Sequence, residues 1–101
     1  MKFEQLQENI ALWAQEKDIC APENAPKQVL KVVEELGELC GSIAKGKRNE
    51  ELDAFGDLLV TIVILAEQRQ IDLVSALQEA YGVIKNRTGK TVNGVFVKDE
   101  E

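Results

Sequence analysis

The chain has 101 residues, 45% of them hydrophobic, and a net charge of −6. This is one small domain that buries only about two-thirds of its unfolded surface, so oligomerisation is a natural remedy, and its apolar content excludes disorder. No apolar run reaches the roughly 18 residues of a membrane helix, and the acidic balance speaks against non-specific nucleic-acid binding.

Four helical stretches and a short tail follow in chain order, read as an all-α, four-helix bundle-like single domain over residues 1–101. The first helix spans about Phe3 to Lys17, with Leu6, Ile10, Trp13 and Ala14 on one face. Trp13 is read as core rather than as a base-stacking platform. Pro22 and Pro26 bracket the connection, and Pro26 suits the first turn of a second helix that runs to Lys45, with Gly46 as its C-cap. Asn49 is the expected N-cap of a third helix ending near Gln70, and Asp72 that of a fourth reaching Arg87. Gly89 and Gly94 break the pattern, so residues 89–101 fall outside the helical core. Val95-Phe96-Val97 reads as a short extended piece, and Asp99-Glu100-Glu101 is expected to fray.

The sequence contains no histidine. Imidazole acid–base catalysis and ordinary zinc enzyme sites are therefore excluded. Any metal must be held by oxygen, which favours Mg²⁺, Mn²⁺ or Ca²⁺. Cys20 and Cys40 are too few for a disulfide framework and read as small buried thiols. Met1-Lys2-Phe3-Glu4-Gln5 lacks the apolar stretch of a signal peptide, so a soluble cytoplasmic protein is expected. Asn86-Arg87-Thr88 then matches a glycosylation sequon by chance. Gly89-Lys90-Thr91 follows a helix and lacks the upstream glycine of a phosphate-binding loop, and no Ca²⁺ loop of EF-hand spacing is present.

On a wheel, the apolar residues of the second helix, from Val29 and Leu30 to Leu39 and Ile43, fill an arc of about 180°. Glu34, Glu35 and Glu38 lie opposite, with Lys27 and Lys31 among them. A solvated face with Lys31 paired to Glu34 or Glu35 explains that arrangement alone. The third helix weighs against so simple an account. Leu58 to Ala66 is apolar on every side but Thr61, as in a buried helix. Asp53 and Asp57, spaced i, i+4, share a face whose following turns, Val60, Thr61 and Ile64, are expected to be buried. Glu50 lies on the same side, nearer the helix start. A short turn at Gly46 would fold the two helices antiparallel, so that the acidic sets around Glu38 and Asp57 can face each other. Two carboxylates about 4 Å apart repel by about 4 kcal/mol at an effective dielectric of 20, so cations are expected between them.

Glu34-Glu35-Leu36-Gly37-Glu38 followed by Asp53-Ala54-Phe55-Gly56-Asp57 resembles the MazG-like branch of the all-α nucleoside triphosphate pyrophosphohydrolases, marked by EExxE and then ExxD. The resemblance spans roughly residues 20 to 98. The tail, from Ile84 to Lys90 and from Asn93 to Lys98, looks like that of small phage and prophage members. The resemblance implies hydrolysis of an NTP or dNTP to the monophosphate and pyrophosphate, a Mg²⁺ cofactor with Mn²⁺ as substitute, and a homodimer or homotetramer. It implies metal ligation by Glu35, Glu38 and Asp57, with Glu34 on metal or on the attacking water. Glu34, Glu35 and Glu38 are thus the candidate catalytic set. The family pattern puts glutamate at position 54, where this chain has Ala54. Asp53 is the candidate replacement ligand. Lys31, Lys85, Arg87 and Lys90 are candidate triphosphate-binding cations; cations at a helix C-terminus explain the last three equally well. Two other readings stay open, a nucleotide-binding sensor without turnover, prompted by Ala54, and a helical interaction module using the apolar third helix.

Overall fold

The computed structural model describes residues 1–99. Helix α1 spans Phe3–Glu16, a 3₁₀ turn covers Pro22–Asn24, and α2 (Ala25–Ala44), α3 (Arg48–Gln68) and α4 (Leu73–Ile84) follow. Strands β1 (Gly89–Val92) and β2 (Val95–Lys98) close the chain as an antiparallel hairpin. The molecule is therefore mostly helical, and the hairpin amends an otherwise all-α reading. No helix among the described residues is long and apolar enough to cross a membrane.

The α2–α3 pair is the main packed unit. Gly46, at φ 68°, supplies the left-handed residue that ends α2. Its N–H donates to the Ile43 carbonyl, and the Lys47 N–H reaches back to the Ser42 carbonyl at 3.0 Å. This paired closure satisfies two helix-end carbonyls and turns the chain at once into α3. Lys47, not Asn49, precedes the first turn of α3. The helices run antiparallel, so that Gln28, early in α2, donates to the Thr61 carbonyl far along α3 at 3.0 Å. Gly46→Ala meets no steric obstacle, so its cost is purely that of the left-handed backbone. A loss of about 1 kcal/mol is expected in urea unfolding. An unchanged midpoint would contradict this account of the turn.

The line of α2 that meets α3 is Gln28, Val32, Glu35, Leu39 and Ser42, half-buried or buried throughout. That corrects the wheel, which placed Glu35 opposite the packed arc. Most of the apolar arc stays open instead, with Leu30 69% exposed and Val33, Leu36 and Ile43 about half so. On α3, Ala54, Val63, Ile64 and Gln68 are buried, but Leu52, Phe55 and Leu59 are not. The third helix is thus covered on one side only. Cys40 is exposed and Cys20 half-buried, against the expected pair of buried thiols.

Helix α1 packs on α3 and α4 through Ala11 and Ala14. Trp13, expected in the core, is half-exposed. Polar pairs fix its position: the Gln15 amide donates to Glu67 at 2.8 Å, and the Gln68 amide donates to the Ile19 carbonyl at 2.8 Å. Gln7 substitutes for a local cap at the start of α4. Its carbonyl accepts the Val74 N–H at 3.0 Å, while its amide donates to Asp72 at 2.7 Å. The Ser75 hydroxyl also donates to Asp72. Those bonds, Ser75 first and Gln7 second, hold the Asp72 carboxyl below its ordinary value of 3.8. A lowered native value contributes stability above the ordinary value, and that contribution fades as pH falls through it. The melting temperature should therefore drop below about pH 4, and Asp72→Asn should flatten the acid slope. An identical slope in the variant would count against this cap.

In the hairpin, Asn93 and Gly94 take φ values of 50° and 79°, the pair of positive angles that a two-residue type I′ turn demands. Gly89 is obligatory because a Cβ there would strike the Val97 carbonyl and the Phe96 ring. Asp99, expected to fray, still donates its N–H to the Thr88 carbonyl at 2.9 Å. Glu100 and Glu101, also expected to fray, lie outside the described residues. Every hairpin residue is exposed. The chain exposes 7964 Å² in all, where a folded monomer of 11.2 kDa exposes roughly 5,700 Å². Its radius of gyration is 16.2 Å against about 13 Å for a compact domain of this length. The surplus surface is the open arc of α2, the stripe of α3 and the arm.

Candidate acidic site between α2 and α3

Small residues keep a groove open where the two helices leave the turn. Gly37, Gly41 and Ser42 of α2 and Ala54 of α3 line it, and nothing lies within 4 Å of where a Cβ on Gly37 or Gly41 would stand. The groove measures about 560 Å³. Around it stand Glu34 and Glu38 from α2, and Glu50, Asp53 and Asp57 from α3, with Lys45 as the one cation of its lining. Antiparallel packing across a short turn thus brings together four of the five sequence-selected carboxylates.

Asp53 and Asp57 are exposed at the groove mouth, although Val60, Thr61 and Ile64 on the following turns are half-buried or buried. They look outward because the α2 residues opposite are glycines and acids, which cannot cover them. Glu35 sits inside the seam rather than on the rim. One of its carboxylate oxygens, Oε2, is shut from solvent and has no hydrogen-bond partner. Its carboxyl is pushed above the ordinary value, first by desolvation, then by Glu38, Asp57 and Glu34, with Lys31 opposing. The Coulomb causes place Glu35 in the same field as the groove acids. Lys31 reaches Glu34 at 3.9 Å between exposed side chains, a contact worth little in water.

Among the described residues, no three acidic or thiol side chains converge closely enough to hold one ion as they stand. Like charges with nothing positive between them separate, for the repulsion considered above. The donor chemistry nevertheless fits a hard divalent cation: all oxygen, several negative charges, and one orphaned oxygen beside them. Glu50 and Lys45 were not selected as site residues from the sequence. Glu50 could have been, since it precedes Asp53 by three residues and shares its face.

Ala54 is 4% exposed and lines the groove, so a glutamate at this position, as in the ExxD pattern, would enter the same space. Lys85, Arg87 and Lys90 do not line the groove of their own chain. They lie on the exposed arm that follows α4, a helix packed on α1 rather than on α2.

No protein-family description matches the chain, and no solved structure matches it. It is similar to a curated phage protein, described as an uncharacterized 18.2 kDa protein in the rep-hol intergenic region of Haemophilus phage HP1 (strain HP1c1), with 42% identity over 72 residues. That match takes in 71% of this chain and 44% of the phage protein, so the chain spans less than half the length of its relative.

Proposed function

We propose that this chain is a Mg²⁺-dependent nucleoside triphosphate pyrophosphohydrolase of MazG-like type, which cleaves an NTP or dNTP to the monophosphate and pyrophosphate. The observation that carries the reading is one groove gathering Glu34, Glu38, Asp53 and Asp57 from two helices, with the orphaned oxygen of Glu35 in the adjoining seam. Glu35, Glu38, Asp53 and Asp57 would hold the cation. When bound, Mg²⁺ supplies charge neutralisation for the phosphates and a Lewis acid for the attacking water. Mn²⁺ would substitute.

The protein's own part is to orient that water and accept its proton. Glu34 stands exposed on the groove wall, held only by a solvent-screened contact to Lys31, and would do both. Water adds at the α-phosphorus, the α–β bridging bond breaks, and pyrophosphate leaves. Lys31 stands near the rim through Glu34, within the reach a phosphate would need.

The working unit in this reading is a homodimer or homotetramer. Its supports are the surplus of roughly 2,300 Å² of exposed surface over a folded monomer of this mass and the open stripes Val29-Val33-Leu36-Ile43 and Leu52-Phe55-Leu59. Cytoplasmic house-cleaning of the nucleotide pool suits such an activity, without nucleic-acid or membrane partners. The phage relative accords with a phage or prophage setting.

Incubation with an NTP and dNTP panel in Mg²⁺, with pyrophosphate and monophosphate quantified, tests the reaction. Equal molar release of both from at least one nucleotide is expected. No turnover of any would reject it. Ala54 favours a second reading, a nucleotide sensor. That reading predicts a higher melting temperature with Mg²⁺ and nucleotide but no turnover. If neither ligand shifts the melting temperature, a helical interaction module is left.

A further inference from the structure

Among the described residues, no helix forms a packed contact of any extent with the hairpin of the arm formed by residues 85–98. Lys85, Arg87, Lys90 and Lys98 give it four positive charges, with Asp99, Glu100 and Glu101 following it in the sequence, whereas residues 1–84 carry eight Lys and Arg against fifteen Asp and Glu, a net of −7. Its strands pair Lys90 with Val97 and Val92 with Val95, so these four side chains share one face of the hairpin. Val92, Val95 and Val97 make that face apolar, and Val95 is 64% exposed. A lone two-stranded hairpin is marginal in water, and three or more strands or a packed helix are needed to sustain one. An uncovered valine face on a cationic hairpin therefore calls for an apolar, anionic surface.

The chain presents that surface itself. The α2–α3 groove carries five carboxylates against Lys45 alone, and open apolar stripes run along the same two helices. The charges of arm and groove are complementary: Lys31 and Lys47 pair with Glu34 and Glu50 at 3.9 and 3.7 Å, whereas Glu38, Asp53 and Asp57 are in no ion pair among the described residues. Within one chain the two do not meet: α4 is committed to α1, and no arm residue lines the groove.

We infer that the arm of one copy docks on the acidic α2–α3 groove of a second copy, each lending Lys85, Arg87 and Lys90 to the other's carboxylate site. The groove is then complete only in the dimer. The inference rests on the proposed hydrolytic reading solely where it has the same cations meet a bound triphosphate; the docking itself rests on charge and exposure.

A zero-length carbodiimide cross-linker joins Lys to Asp or Glu only where they touch. Unlabelled and ¹⁵N-labelled wild-type protein are unfolded together, refolded as an equimolar mixture, cross-linked and digested. Links from Lys85 or Lys90 to Glu34, Glu38, Glu50, Asp53 or Asp57 are expected, and about half should join one light and one heavy peptide, as random pairing in a two-fold dimer requires. Links of Lys45 or Lys47 to nearby acids serve as same-chain controls and stay isotopically pure. Arm-to-groove links that are all pure, their absence, or a monomer in sedimentation at the same concentration would each overturn the inference. Hydrolysis is assayed on the same sample: mixed-isotope links without turnover uphold the docking and reject the enzymatic reading alone.

Discussion

Asp57→Asn is expected to lower turnover of the preferred nucleotide by about 10²–10³-fold, the scale of losing one group that stabilises charge in a transition state. The same substitution should raise the melting temperature in EDTA. Asp57 is among the groups whose charge pushes the Glu35 carboxyl upward, so neutralising it removes repulsion that the metal-free protein endures. A residue that weakens its own fold while serving a site shows opposite signs in the two measurements. Kinetics in Mg²⁺ and thermal melts in EDTA check both signs. Turnover equal to wild type would remove Asp57 from the site. Lost turnover together with a lower melting temperature would make it a structural residue.

The second large effect is expected at the open stripe of α2. Leu36 is about half-exposed beside Val33 and Ile43, and a glutamate on a stripe covered by a second copy would be buried once in each protomer, so its effect counts twice in each dimer. Burying that unpaired charge costs several kcal/mol, so Leu36→Glu should sediment as a monomer where wild type is a dimer or larger. The isolated chain already exposes far more surface than its mass warrants, so the melting temperature of the variant should also fall and lose its dependence on protein concentration. Wild type and variant sedimenting alike would place the interface elsewhere.

The sequence made the helices legible because each has a strong apolar period and a physical stop. Gly46 was found as the end of α2 from its residue type. The ends of α1 and α3 carry the same left-handed residue as Asp18 and Gln70, which no residue preference announces, and the helices stop before their expected ends, α1 at Glu16, α2 at Ala44, α3 at Gln68 and α4 at Ile84 rather than Arg87. The hairpin was missed although Asn93-Gly94 is the strongest short signal for one. Its strands are only four residues each, and Val95-Phe96-Val97 alone gives no partner.

The acidic groove was legible through spacing: Asp53 and Asp57 one turn apart, Glu34 and Glu38 one turn apart, and a turn too short for anything but antiparallel packing. The place of Glu35 was not. A wheel weighs hydrophobicity, whereas α2 meets α3 through Gln28, Val32, Glu35, Leu39 and Ser42 and leaves its most apolar side open. The same inversion exposes Trp13 and half of α3. Apolar patterning records every face that is to be covered, including those that one chain cannot cover alone. The arm's cations likewise could not be placed from the sequence, since nothing local ties Lys85, Arg87 or Lys90 to the groove.

The central claim is that the carboxylates of α2 and α3 form one divalent-cation site. Mn²⁺ reports on it directly, because its six-line electron paramagnetic resonance signal in water weakens on binding. Titration of wild type should deplete that signal and excess Mg²⁺ should restore it. The Glu38→Gln/Asp57→Asn double variant, still helical by circular dichroism, should leave the signal as in buffer. Equal Mn²⁺ uptake by wild type and the double variant, or none by either, would contradict the claim.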